Sequence, residues 1–94
     1  MKVIQETQLQ VNTTVQSLPS IPSNAIYAVV VAERGTGTET ILMRFKESGN
    51  PTNVDGMPLG ELGRYDIQGK GGLAAFKVIS ADGNTHVLNI QYRG

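Results

Sequence analysis

Ile41-Leu42-Met43-Arg44-Phe45-Lys46 is the stretch that decides the fold. Ile41, Met43 and Phe45 fall on one side, and Arg44 and Lys46 on the other. Side chains alternate across a strand, so this period of two marks a half-buried β-strand. The same period recurs at Ala74, Phe76 and Val78, and again at Leu88, Ile90 and Tyr92.

Working outward, Ile26 to Glu33 is a continuous apolar run and reads as a central strand buried on both faces. Arg34-Gly35-Thr36-Gly37-Thr38 reads as a hairpin turn, with Thr40 to Lys46 returning antiparallel. Glu47 to Gly63 reads as a long loop, with a short strand near Met57-Pro58-Leu59. Arg64 to Gln68 is a short strand, and Gly69-Lys70-Gly71-Gly72 a turn. Leu73 to Ser80 and Thr85 to Arg93 form a last hairpin around Ala81-Asp82-Gly83-Asn84, where Asp-Gly is a strong turn signal. Upstream, Leu9, Val11, Thr13 and Val15 alternate as a strand, and Ser17 to Asn24, with Pro19 and Pro22, is an extended connector. The expected fold is a single all-β domain over residues 1–94, a small β-sandwich or jelly roll of seven or eight short antiparallel strands.

Leu, Ile, Val and Phe number 7, 7, 9 and 2 in 94 residues, enough for one modest core. Cysteine is absent and His86 is the one histidine, which argues against disulfides and zinc. Self-association, or docking on a larger body, is the remaining support for so small a domain. Eight basic and eight acidic residues give no long-range field for nucleic acid or anionic lipid. The first 30 residues lack a signal-peptide pattern, and the longest apolar run, Ala25 to Ala32, is too short to span a bilayer. A soluble chain made in a cytoplasm is expected, with no nucleic-acid or membrane partner. The Asn12-Thr13-Thr14 sequon is then a chance match.

Gly69-Lys70-Gly71-Gly72-Leu73-Ala74 formally matches the G-x-G-x-x-A dinucleotide pattern, but that mechanism needs a glycine loop opening a helix. Here the chain is expected to continue as strand, so the turn reading is preferred. His86 has no accompanying nucleophile motif and reads as a half-buried or rim histidine. Asp55, Glu61 and Asp66 read as solvated acids rather than a catalytic or calcium-binding set. Phe45 and Phe76 belong to the core, and Tyr65 beside Arg64 is the one candidate for an exposed aromatic contact. The loop 47–63 is the strongest interaction candidate, the other reading being a structured connector between two sheets. No catalytic, cofactor or metal residues are assigned.

Met43-Arg44-Phe45-Lys46-Glu47-Ser48-Gly49-Asn50-Pro51-Thr52, followed by Gly56-Met57-Pro58-Leu59, resembles a group of small β-rich proteins encoded by tailed bacteriophages and prophages. The resemblance extends from Ile21-Pro22-Ser23-Asn24-Ala25 through Leu73-Ala74-Ala75-Phe76-Lys77-Val78-Ile79 to Leu88-Asn89-Ile90-Gln91-Tyr92, covering roughly residues 21 to 93. The usual pattern often carries two acids before the first glycine, where this chain has Glu47 and Ser48. The resemblance implies a virion structural protein, with a capsid decoration (cement) protein as the first expectation. Its partners would be the major capsid protein or other virion proteins and further copies of itself, a trimer being favoured. Residues 1–18 would act as an arm adding a strand to a neighbour. Expected contacts are Ile4, Leu9 and Val11 on that arm, Asn50, Pro51, Thr52, Asp55 and Met57 in the loop, and Arg64 and Tyr65. The alternative is a tail-fibre, head-fibre or adaptor module binding host glycan through Tyr65 and the loop acids.

Overall fold

A computed structural model describes residues 1–94. It contains eight strands and one short helix: β1 (Val3–Val11), β2 (Gln16–Ser17), β3 (Tyr27–Glu33), β4 (Ile41–Lys46), β5 (Met57–Gly60), β6 (Arg64–Gln68), α1 (Gly69–Ala75), β7 (Lys77–Ser80) and β8 (His86–Arg93). Two four-stranded antiparallel sheets pack face to face, ordered β1-β8-β3-β6 and β2-β7-β4-β5. The chain behaves as one long hairpin whose arms pair β1 with β8, β2 with β7, β3 with β6 and β4 with β5. Rolling that hairpin adds the β3–β8 and β4–β7 ladders. This wiring is the jelly roll, and the expected all-β sandwich is what the chain forms.

Alternation places most of the core as the sequence indicates; the exceptions are Ile41, partly exposed where a bulge before Met43 turns Leu42 inward instead, and Ala74, exposed on α1. Met43 and Phe45, Leu88, Ile90 and Tyr92, and Phe76 and Val78 all point between the sheets. Small residues make room for large ones: Ala28 lies in register between Tyr92 and Ile67 on the same inner face. The buried Tyr92 hydroxyl donates to the Pro19 carbonyl at 2.6 Å, tying down the connector between β2 and β3. Burial pushes its pKa up to about 12.

Four expectations are corrected. First, the turns 34–38 and 81–84 do not close hairpins. β3 and β8 lie in one sheet and β4 and β7 in the other, so each turn carries the chain across the sandwich. Alternation reports which way a side chain faces, not which strand lies alongside.

Second, Gly69–Ala75 is a helix rather than a turn running into a strand, and β7 begins only at Lys77. Leu73 and Phe76, three residues apart, both reach the core from this crossover, and the Phe76 N–H bonds the Gly72 carbonyl at 3.0 Å. Tertiary packing overrides the poor helix propensity of three glycines.

Third, the first strand starts at Val3, not Leu9, and no free arm exists. β1 is paired with β8 along its length, with a bulge between Val3 and Gln5 that hides its alternation. The strand ends at Val11, and the Oδ1 of the next residue, Asn12, accepts the Thr14 N–H at 2.9 Å as the chain turns into the second sheet.

Fourth, β3 is central in its sheet, but no second layer covers its outer face. Val29 is sheltered there between Gln91 and Asp66, its register neighbours.

Candidate functional site

The ten residues proposed as contacts from sequence fall into three places. Val11 is fully buried, and Ile4 and Leu9 pack against the core, so these three face inward. Asn50, Thr52, Asp55 and Met57 are exposed in and beside the loop between β4 and β5, while Pro51 is buried beneath it. Arg64 is exposed on the outer face of β6. Tyr65, its neighbour, points the other way, with its ring 4.4 Å from Phe45 and 6.5 Å from Phe76. The Tyr65 hydroxyl donates to the Glu47 carboxylate. That bond, then burial, pushes its pKa up to about 12. Tyr65 is therefore a rim member of the core and not an exposed binding aromatic.

The loop 47–56 is a bonded lobe. Thr52 and Asp55 exchange backbone hydrogen bonds at 2.9 and 3.3 Å, and Thr52 Oγ1 accepts the Val54 and Asp55 N–H groups at 3.3 and 3.0 Å. From β4, Arg44 donates to the carbonyls of Asn53 at 3.2 Å and Gly56 at 2.9 Å. Lys46 Nζ meets Asp55 at 2.6 Å. Gly56, at φ +132, lets the returning chain pass close to β4: a Cβ there would meet the Phe45 carbonyl oxygen at 3.0 Å. The lobe holds Val54 and Met57 out to solvent at 76% and 62% exposure. Beside it, an open hollow of about 400 Å³ brings together Asp55, Met57 and Tyr65 with Phe45, Lys46 and Glu47. Three of the ten residues thus share one surface.

A second surface is the outer face of the β1-β8-β3-β6 sheet. An open hollow of about 500 Å³ is lined by Glu6 and Gln8 on β1, Asn89 and Gln91 on β8, and Val29 and Val31 on β3. Planar polar groups link across it: Gln8 Nε2 donates to Asn89 Oδ1 at 2.8 Å, Asn89 Nδ2 to Glu33 at 3.1 Å, and Gln91 Nε2 to Glu6 at 2.9 Å. At one margin, Asp66 accepts from both Arg64 and the Tyr27 hydroxyl, bonds that hold its carboxyl below the usual range. Sequence reasoning passed over this face because an amide-rich outer face resembles ordinary solvated surface.

His86 is fully buried, which corrects the rim position expected for it. Its Nδ1 accepts the Gly35 N–H at 2.9 Å, so the proton sits on Nε2, which donates to the Asp82 carboxylate at 2.9 and 3.0 Å. With both ring nitrogens engaged and no ring surface exposed, the imidazole has no site for general base chemistry. It pins the β3–β4 connection to the β7–β8 turn. The glycines of the dinucleotide-like motif form α1 itself, so no glycine loop precedes a helix there. No group of three or more His, Cys, Asp or Glu side chains is placed to hold a metal ion. No helix is long and apolar enough to cross a membrane.

Compared with protein-family models, curated proteins and solved structures, the chain matches none.

Proposed function

We propose that this chain is a structural component of a tailed-phage particle, a decoration protein that binds the head shell and acts by contact rather than catalysis. The observation that carries this reading is the jelly-roll wiring β1-β8-β3-β6 over β2-β7-β4-β5. Viral capsid domains use that architecture, so this support is analogy at the level of fold. It joins the resemblance of residues 21 to 93 to small phage proteins. The bonded lobe 47–56 fits the role physically. It presents Val54 and Met57 from a frame fixed by Arg44 and Lys46, so docking orders little additional chain.

The test is quantitative mass spectrometry of purified particles from the encoding phage or induced prophage. Abundance comparable to the major capsid protein is expected. Absence from the particle overturns the reading, and low copy number moves the protein to a fibre, neck or tail. On a shell, Val54→Asp with Met57→Asp should cut particle binding at least about tenfold while leaving the fold intact, since both side chains stand in water.

The hollow on the outer face of the β1 sheet favours one second reading, a glycan-binding module. Its two valines suit a sugar ring face, and its amides and carboxylate suit hydroxyl groups. Tyr65 plays no part in that site. Glycan-array binding that Gln91→Ala abolishes would support it; an empty array would remove it.

A further inference from the structure

Sheet edges present unpaired N–H and C=O groups, and proteins blunt them with short strands, charge, proline or bulges. Three of the four edges here are blunted. β2 is two residues long. β5 is four residues long and contains Pro58. β6 is five residues long, carries the Arg64–Asp66 ion pair and runs directly into α1. β1 differs: it has nine residues and is the longest strand of the molecule. Beyond its bulge, Glu6 to Val11 is regular and contains no proline, glycine or lysine. No backbone hydrogen bond outside its ladder reaches residues 3–11.

The ladder tells which groups are free. Lys2 and Gly94 exchange both backbone bonds at 2.9 Å. Alternate residues of β8 turn toward β1, so Tyr92, Ile90, Leu88 and His86 bond across to Gln5, Thr7, Leu9 and Val11. The N–H and C=O groups of Glu6, Gln8 and Gln10 therefore face the open edge.

We propose that this edge pairs with itself: two copies of the chain join antiparallel across a two-fold axis at Gln8, making one continuous eight-stranded sheet. The occupant is a second copy because the edge is self-complementary. Centring on Gln8 forms about six backbone hydrogen bonds. It sets Glu6 of each copy, whose Oε2 accepts from Gln91 in its own chain, opposite Gln10 of the other, a carboxylate against an uncharged amide. Gln8 meets Gln8, and an amide both donates and accepts. Centring on Thr7 forms about four bonds, and centring on Glu6 opposes two carboxylates. A net charge of zero adds no long-range repulsion. This geometry closes two-fold and not three-fold. An edge of this size buries less than the roughly 1,200 Å² typical of stable complexes, so pairing is weak and concentration-dependent.

The test is sedimentation equilibrium of the full chain from micromolar to millimolar concentration, with amide exchange followed by NMR. The expected result is a reversible dimer in which the Glu6, Gln8 and Gln10 amides slow with concentration while those of β5 and β6 do not. Gln8→Pro removes an N–H aimed at the open edge and none from the β8 ladder, so it should fold as a monomer. Gln8→Lys opposes two ammonium groups and should raise the dissociation constant at least about tenfold. A chain monomeric at every concentration overturns the proposal and leaves the edge to a strand of another protein. A dimer indifferent to Gln8→Lys, or a Gln8→Pro chain that cannot fold, overturns the edge assignment.

Discussion

At Asp82, burial would push the carboxyl pKa up, but hydrogen bonds from the Asn84 N–H, His86 and the Asn84 side chain outweigh it and bring it down to about 2. The folded value lies below the unfolded one. The stabilisation is therefore complete above about pH 4 and drains away as pH falls toward 2, on the order of 2 kcal/mol in all. Urea unfolding across that window should show the loss, and Asp82→Asn should flatten it. His86→Ala leaves the Gly35 N–H and the Asp82 carboxylate without their ring partner in a dry site. We expect a cost of roughly 3 kcal/mol or more in the same assay. Gly35→Ala should be comparably damaging, because its Cβ would fall 2.0 Å from the Thr85 carbonyl oxygen. Little of this was legible beforehand. The sequence places His86 on the parity of Leu88 and Ile90, hence inward, but its partners come from a loop about fifty residues away and from the far side of a turn. The Asp82–His86 spacing around Asp-Gly was the one local signal for half of the cluster.

Among the elements, α1 was the hardest to foresee and is the simplest to improve. Gly71 faces open space, so Gly71→Ala should raise stability by about 0.5–1 kcal/mol through helix propensity alone. Gly72→Ala should forfeit that gain, since its Cβ would come within 2.9 Å of Glu47 Oε1 and 3.2 Å of Ile67 Cγ2. Thermal unfolding of the two variants side by side checks the contrast. The lobe 47–56 hangs on Arg44, so Arg44→Ala should leave the sandwich intact while making the lobe the first site of limited proteolysis. Period-two alternation revealed β4, β7, β8 and the end of β1, because each buries one face; β3 stood out as an apolar run, and β5 and β6 as short stretches between turn residues. The helix stayed hidden because glycines mark turns, and only the buried positions of Leu73 and Phe76 explain why the chain coils there. β1 stayed partly hidden because a bulge resets its parity and the polar Thr7 stands among its inward positions.

For the molecule as a whole, composition and alternation were enough to specify an all-β sandwich, but not its wiring. Turn residues mark where the chain bends. Whether a bend closes a hairpin or crosses to the other sheet depends on packing between distant segments, which no local pattern records. The candidate surfaces follow the same division: the lobe was visible as a long loop, whereas the amide-lined hollow exists only once β1, β8 and β3 lie side by side. A chain lacking residues 86–94 should be unfolded by circular dichroism, since β8 joins β1 to β3. The nested pairing also has a consequence in time. β1 leaves the ribosome first and its partner β8 last, so at about 5–20 residues per second the nascent first strand waits roughly 4–20 seconds unpaired. Neither long ladder of that sheet can form before β8 is synthesised, which makes the first half of the chain a client for holdase chaperones and makes expression yield depend on how fast that strand is translated.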